Sequence, residues 1–264
     1  MSEAFDYVPY HVDQAARHVA DARGKRILVV GCNRGREVGL FLDAGAQEVW
    51  GIDVMDEIGV DYPHERARYL KMSAEAMDLD DGMFEVVFCL ATMEHVSRPE
   101  AAFPEIGRVA APGGFLYVVS APLWHSRQGH HKSDIFDVDR YPWIHLRFDA
   151  EALKRMCAAG EIEYPGSVED IAGHVDYMMS PSYLNQRPAR DYVRISSELK
   201  DVVIERNDLD LEPESVVGLL PDNVRTELVD RVGGGIELRA LTHTLIATKR
   251  SASRRNRWRQ LLRS

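Results

Sequence analysis

The chain has 264 residues, a formal net charge of −10 at pH 7 and three cysteines, Cys32, Cys89 and Cys157. The acidic balance argues against a nucleic-acid partner, because phosphate backbones attract positive charge, and no apolar run reaches the roughly 18 residues needed to span a bilayer. Since no cysteine belongs to a CxxC pair, we expect reduced thiols in a soluble, cytoplasmic protein.

The N-terminal half alternates apolar runs with helical patterns. Because strands that alternate with helices form βαβ units, this half predicts a parallel sheet covered by helices on both faces. The predicted strands cover residues 26–30, 48–52, 67–71, 84–90 and 115–120. The predicted helices between them cover residues 37–44 and 98–110.

The regular alternation ends after Ser120. A polar, histidine-rich loop covers residues 122–142, residues 148–160 predict a helix with Asp149 as its N-cap, and the apolar run 241–247 predicts a closing strand. We therefore divide the chain into five segments. They are an N-terminal helical cap (1–25), a cofactor-binding core (26–160), an insertion or substrate lid (161–235), a closing strand (236–249) and a basic tail (250–264).

Glycine and aspartate at the ends of the first two strands predict a ligand site. Gly31 and Gly35 permit a tight turn and a close approach of a ligand to the backbone. Asp53 ends the second strand, where a carboxylate can accept hydrogen bonds from ribose hydroxyls, although it could serve equally as a helix N-cap. A GxGxxG dinucleotide turn would need glycine in place of Asn33 and Arg36, which argues against a nicotinamide cofactor.

Five segments, in this order and spacing, resemble the successive motifs of class I S-adenosylmethionine-dependent methyltransferases. They read ILVVGCNRG (27–35), GIDV (51–54), SAEAM (73–77), FEVVFCLATMEHV (84–96) and APGGFLYVVSAP (111–122). The resemblance implies S-adenosylmethionine as cofactor and an α/β fold, a doubly wound, mostly parallel, seven-stranded Rossmann-like sheet with a helical insertion in the C-terminal half. The cofactor-binding residues that it implies are Gly31, Cys32, Asn33, Gly35, Asp53, Val54, Ser73, Ala74, Leu90 and Ala91.

Two positions depart from the family pattern. Val29 stands where the family usually has an acidic residue that orients the amino group of the cofactor, and Asn33 stands where it usually has a glycine. Asparagine tolerates left-handed backbone geometry better than most residues. The departures leave open a non-catalytic cofactor-binding or scaffold protein of the same fold.

Histidines in the loop after the fifth strand are the candidate catalytic residues. Methyl transfer requires in-line alignment of the acceptor, and a hydroxyl acceptor benefits from a base. His131 or His130 could supply that base, and the sequence does not choose between them. His95 belongs to a motif that is structural in the family. No metal site is predicted, because the adjacent histidines, even with Asp134 and Asp137 nearby, match no strong ligand template.

The same loop, GHHKSDIFDVDRYPWIHLRF (129–148), resembles the segment after strand five in bacterial methyltransferases of glycans and sugar-containing natural products. We therefore expect O-methylation of a sugar hydroxyl or a similar small hydroxylated acceptor. Methylation of nitrogen or of another small metabolite stays open. The predicted acceptor-binding residues are Trp124, His125, Asp134, Trp143 and His174.

The C-terminal tail is strongly basic, with seven basic residues and no acidic residue at positions 249–264. Trp258, Leu261 and Leu262 would share one face of a helix. Such a helix could contact an anionic membrane surface, a polyanionic acceptor or the acidic body of a neighbouring subunit in a homo-oligomer. A solvated terminus is the favoured interpretation, because chain ends are commonly poorly ordered.

Overall fold

The computed structural model describes residues 6–18 and 21–251, so nearly all of the predicted basic tail lies outside the described residues. Seven strands form one sheet in the order β3-β2-β1-β4-β5-β7-β6. They are β1 (Arg26–Val30), β2 (Glu48–Asp53), β3 (Ala67–Lys71), β4 (Phe84–Leu90), β5 (Ala110–Ser120), β6 (Val202–Leu211) and β7 (Ala240–Lys249). The first five strands pair in parallel, and β7 is antiparallel to both β5 and β6. This confirms the predicted seven-stranded, mostly parallel α/β sheet.

Helices cover both faces of the sheet, and further helices lie in the chain segments that connect β5, β6 and β7. They are α1 (Tyr7–His18), α2 (Arg36–Asp43), α3 (Pro99–Val109), α4 (Ile144–Arg147), α5 (Ala150–Ala158), α6 (Val168–Met179), α7 (Ala189–Ser197), α8 (Glu214–Val217), α9 (Asp222–Val232) and α10 (Gly235–Arg239). None of the helices in the described ranges is long and apolar enough to cross a membrane.

The central strand β1 shows why its sequence is apolar without interruption. Successive side chains of a strand point to opposite faces of the sheet. Leu28 and Val30 pack in the core that contains α3 and α7, whereas Ile27 and Val29 pack in the core that contains α1 and α2. Because both faces of the sheet are covered, a strand with alternating polar residues would bury polar side chains. Polar residues therefore occur at the ends of the strand.

The region predicted as an insertion contains a strand as well as helices. β6 forms the edge of the sheet and reads VVIERNDLDL, and most of its residues are exposed or half-buried. A solvent-facing edge strand does not need an apolar face, so its sequence lacks the pattern that revealed the central strands. The segment 236–249 also begins in α10, and its strand starts only at Ala240.

His243, on β7, is a fully buried imidazole. Its Nε2 lies 2.8 Å from Oδ1 of Asn207, and the Asn207 amide is oriented because its Nδ2 donates to the carbonyl oxygen of Val193. Nε2 therefore carries the proton of a neutral ring. Burial lowers the pKa of His243 to about 4.

We expect His243 to make folding less favourable in acid. In the unfolded chain, His243 has a pKa of about 6.5 and is protonated below that pH, whereas the folded ring stays neutral down to about pH 4. The contribution of the neutral ring to the free energy of unfolding is therefore fully present above pH 6.5 and falls as the pH drops towards 4. His243→Gln keeps an N–H donor without a titrating ring. In urea titrations, the variant should lose about 1 to 3 kcal/mol less unfolding free energy than the wild type between pH 7 and pH 4.5.

The matched control is His64→Gln, because His64 is exposed. It should lose as much stability over the same pH range as the wild type. If His243→Gln and His64→Gln respond alike, the buried ring of His243 does not contribute to acid sensitivity.

Candidate active site

The turn after β1 adopts a backbone that few side chains allow. Gly31, Asn33 and Gly35 have φ angles of 74°, 45° and 97°. A Cβ atom on Gly31 would lie 2.0 Å from Oγ1 of Thr92, which follows β4. Glycine at position 31 therefore lets the turns after β1 and β4 approach each other, at the point where the strand order reverses and ligands of such sheets bind.

Asp53 connects the end of β2 to this turn. Its Oδ2 accepts a hydrogen bond from the backbone N–H of Asn33 at 2.8 Å, and its Oδ1 accepts one from Val54 at 2.7 Å. The side chain is half-buried and Val54 is exposed. Oδ1 also accepts from the N–H of Met55 at 3.2 Å, so its two lone pairs are used, whereas Oδ2 keeps one. Asp53 can therefore hold the turn and still accept a hydrogen bond from a ligand through Oδ2.

The other predicted cofactor residues differ in accessibility. Cys32 is buried with Sγ against Gly51, and burial raises the pKa of its thiol to about 12, so it remains protonated at neutral pH. Ser73 is exposed and its Oγ accepts from the N–H of Glu75, whereas Ala74 is buried. Their chain segment therefore offers a ligand its backbone edge and one small hydroxyl group.

A cavity of roughly 380 Å³ opens beyond the ends of β4 and β5. Its lining is mostly apolar, with a few polar groups contributed by α1, by the loop after β5 and by β7. The lining residues are Tyr7, His11, Leu90, Ala91, Val119, Ala121, Pro122, Gln128, Leu241 and Thr242. The cavity therefore shares Leu90 and Ala91 with the predicted cofactor site, and Tyr7 and His11 of α1 form part of its wall.

His131 and His130 differ in which ring nitrogen is free. Nε2 of His131 lies 2.7 Å from the carbonyl oxygen of Pro122, which can only accept, so Nδ1 carries the lone pair. In His130, by contrast, Nδ1 accepts from the N–H of Lys132 at 3.0 Å, so Nε2 carries the proton and has no partner among the described residues. Burial lowers the pKa of each ring to about 4. Both are therefore neutral at pH 7, and His131 alone of the two has an unused lone pair.

The structure adds Glu94 and His95 to the site. Glu94 is buried, its Oε1 accepts from the N–H of Ala121 at 3.2 Å, and its Oε2 has no hydrogen-bond partner in the described part of the chain. Burial raises the pKa of Glu94 to about 8. One ligand atom each from Glu94, His95 and His131 lies within 4.8 Å of the others. The sequence signal for this cluster was the Glu94-His95 pair, which lies a few residues beyond the end of β4 at Leu90.

The two tryptophans predicted to bind an acceptor are core residues. Trp143 is fully buried, and its Nε1 donates to the carbonyl oxygens of His125 and Leu238 at 3.0 and 3.2 Å. Trp124 is nearly buried and packs edge-on against the ring of His145. Neither residue lines the cavity, so both are placed to stabilise the loop after β5.

The remaining predicted acceptor residues also lie outside the cavity lining. Nδ1 of His125 is 3.2 Å from Oε2 of Glu237. Asp134 and His174 are exposed, and His174 contacts the hydroxyl group of Tyr164. No hydrogen bond or ion pair joins these three side chains to one another within the described residues.

Comparisons with known proteins identify a domain family, sequence relatives and structures of similar fold. Residues 28–118 match the family described as "Methyltransferase domain". A ubiquinone biosynthesis O-methyltransferase of Shewanella halifaxensis is 33% identical over 119 residues, which cover 40% of this chain and 47% of that protein. A tRNA U34 carboxymethyltransferase of Idiomarina loihiensis is 27% identical over 113 residues, which cover 39% of this chain and 35% of that protein. The chain thus spans less than half the length of these two relatives.

The fold is shared more widely than the sequence. The crystal structure of an S-adenosylmethionine dependent methyltransferase from Mesorhizobium loti matches with a TM-score of 0.52 and 15% identity, over 90% of this chain and 100% of that one. At this identity the likeness shows the architecture.

A substitution at Gly31 tests the close approach of the two turns. Gly31→Ala places a Cβ against Thr92 and also strains a φ angle of 74°. Gly24→Ala is the matched control, since φ is 69° there and no atom lies within 4 Å of the added Cβ. We expect chemical denaturation to show a loss of about 1 to 2 kcal/mol for the control and about 2 to 5 kcal/mol for Gly31→Ala, the excess being steric. Equal losses would show that the turns can separate freely.

Proposed function

We propose that this chain, whose residues 28–118 belong to the class I S-adenosylmethionine-dependent methyltransferase family, transfers the methyl group of that cofactor to a hydroxyl group of a small acceptor. The observation that carries the proposal is the position of the cavity. It begins at Leu90 and Ala91, which the family pattern assigns to the methionine end of the cofactor, and it continues to β7. An acceptor in this cavity would therefore meet the cofactor at its reactive end.

The cofactor would extend across the ends of β2, β1 and β4. In this proposal Asp53 binds the ribose hydroxyls, the segment at Ser73 meets the adenine, and the turn at Gly31 passes close to the methionine part. Val29 is buried in the sheet and cannot supply the carboxylate that the family usually has there. The cofactor's amino group is accordingly left to backbone carbonyls.

The cavity lining and one relative support the proposed acceptor class. The apolar walls favour a flat or apolar molecule, and Tyr7, His11, Gln128 and Thr242 can orient its polar groups. The Shewanella relative is named as an O-methyltransferase. A phenolic ring or a sugar joined to an apolar group fits such walls better than a free sugar, which would leave many hydroxyls unpaired.

The reaction is an in-line displacement. The acceptor oxygen forms a bond to the methyl carbon while the carbon–sulfur bond breaks, and the electron pair of that bond returns to sulfur. The products are S-adenosylhomocysteine and a methyl ether, and the hydroxyl proton must leave. The protein contributes alignment and the exclusion of water, and His131, bonded to the cavity residue Pro122, is the residue that we expect to promote proton loss.

Removal of the Asp53 carboxylate should weaken cofactor binding. We expect calorimetry to show that Asp53→Ala binds S-adenosylmethionine about 1 to 3 kcal/mol more weakly, because a charged hydrogen-bond acceptor is lost. Asp56→Ala is the control, since Asp56 is exposed on the same loop and pairs with Lys71. Equal affinities of the two variants would exclude Asp53 from the cofactor site.

Substitutions of the two adjacent histidines should have different effects on kcat. His131→Gln should lower kcat by roughly 10²- to 10⁴-fold with little change in cofactor affinity, because it removes the free Nδ1 lone pair. His130→Gln should reduce stability and leave kcat of the folded protein within a few-fold of wild type. A larger kcat loss for His130→Gln than for His131→Gln would reverse the assignment.

A direct test uses S-adenosylmethionine labelled in its methyl group. Panels of phenols, free sugars, lipid-linked or aryl glycosides and amines are incubated with the chain, and labelled products are identified by mass spectrometry. Labelled ethers of phenols or glycosides support the proposal, whereas labelled amines support N-methylation. Cofactor binding without any labelled product, from these panels or from cell extract, would favour a non-catalytic binding protein. The absence of the usual acidic residue at Val29 is consistent with that alternative.

A further inference from the structure

Three side chains beside the cavity converge on one point. Glu94 and His95 follow β4, and His131 lies in the loop after β5 with a φ angle of 57°. Their ligand atoms lie within 4.8 Å of one another. Ligands on one tetrahedral metal ion are about 3.4 Å apart when each bond is about 2.1 Å long. Side-chain rotations that bring these atoms closer together, by about 1.4 Å at most, would place all three on one ion.

The hydrogen bonds of both histidines leave a ligand nitrogen free. Nδ1 of His95 lies 2.6 Å from the carbonyl oxygen of Tyr183, and Nε2 of His131 lies 2.7 Å from that of Pro122. Carbonyl oxygens only accept, so each of these nitrogens carries the proton and the opposite nitrogen keeps its lone pair. A backbone carbonyl that fixes the ring in this way is the usual support of a metal-binding histidine.

Glu94 supplies the second, independent observation. The residue is only 2% exposed, and its Oε2 has no partner in the described part of the chain. Oε1 accepts from the N–H of Ala121, and no cationic side chain pairs with Glu94 in the described part of the chain. The ionised form of a buried carboxyl group is costly unless it is paired with a cation or binds a metal ion, and a bound ion would stabilise that form here.

We propose that Glu94, His95 and His131 bind a divalent transition-metal ion, with Zn²⁺ as the best match, beside the acceptor cavity. Two imidazoles and one carboxylate suit zinc and its neighbours better than Mg²⁺, which prefers oxygen ligands. Three protein ligands leave at least one coordination position open. The sequence analysis considered a different grouping, which consisted of His130, His131, Asp134 and Asp137. Asp134 and Asp137 are exposed and are not part of the site proposed here.

The function of this ion rests on the proposed methyl transfer. Ala121 and Pro122, which hydrogen-bond to Glu94 and His131, also line the cavity. The three side chains therefore lie behind the cavity wall, and the proposal requires the acceptor hydroxyl to reach the open coordination position from there. Coordination lowers the pKa of a bound hydroxyl group, whose proton passes to water, and the resulting alkoxide or phenoxide is the nucleophile. In this proposal His131 promotes proton loss as a ligand of the ion.

The binding test uses the full chain, freed of metal by a chelator and titrated with Zn²⁺ in a calorimeter. We expect one ion per chain and a dissociation constant raised roughly 100-fold or more in Glu94→Gln and in His131→Gln, beyond the effect of losing an outer partner. His174→Gln, which changes an exposed histidine outside the cluster, should bind as the wild type does. Unchanged affinity in both cluster variants, or no saturable binding by the wild type, would overturn the site.

A second measurement does not depend on the folding of variants. Zinc K-edge X-ray absorption of the wild-type protein should show two imidazoles, oxygen ligands and no sulfur. A spectrum with sulfur or without imidazole would contradict the proposal.

Calorimetry with S-adenosylmethionine on the metal-free chain separates this site from the proposed function. Cofactor binding without zinc binding overturns the metal site alone. Zinc binding by the three residues without cofactor binding supports the metal site and overturns the methyl transfer. If both hold, turnover should fall at least tenfold on chelation and return with Zn²⁺.

Discussion

Burial of the central strands on both faces is the constraint on which the rest of the structure depends. The alternate residues of β1 enter two different cores, and β4 is likewise apolar over most of its length. A strand in this position has no solvent face for polar residues, so the chemistry of the N-terminal half is displaced to the turns at the strand ends. Asp53, Glu94 and His95 each follow or end such a strand.

The antiparallel pair β5–β7 then determines how the site is closed. Ser120 at the end of β5 lies opposite His243 on β7, and Leu241 and Thr242, just before it, join the cavity wall. On the other side, α1 contributes Tyr7 and His11, and Nδ1 of His11 lies 2.8 Å from the hydroxyl group of Tyr117. Segments from the two ends of the chain therefore enclose one cavity.

The sequence predicts those parts of the fold that depend on local pattern. The continuous apolar runs of the central strands predict those strands. Asp149 was predicted as an N-cap, and its side chain accepts a hydrogen bond from the N–H of Ala152 at 2.7 Å. β6 could not be predicted in the same way, because a half-exposed edge strand tolerates a polar sequence.

The site was harder to predict, because its chemistry depends on contacts between distant segments. Which of His130 and His131 keeps a lone pair is decided by the carbonyl of Pro122 and the N–H of Lys132, and no spacing rule contains that information. The grouping of His131 with Glu94 and His95 requires the loops after β4 and β5 to meet. The sequence predicts Trp143 as a ligand-binding aromatic residue in a polar loop. In the structure, its indole N–H instead hydrogen-bonds to the carbonyl oxygen of Leu238 and so holds the loop in place.

The charged outer strand has a consequence for self-association. Among the described residues, β6 pairs only with β7, so the backbone groups along its other side can pair with a further strand. Arg206 bonds to Asp208 and Asp210, so alternate positions along this strand carry paired charges. A second chain adding to this edge would have to strip water from those charges, which disfavours continuous sheets that extend from molecule to molecule. The charged edge should accordingly protect the protein from edge-to-edge aggregation at high concentration.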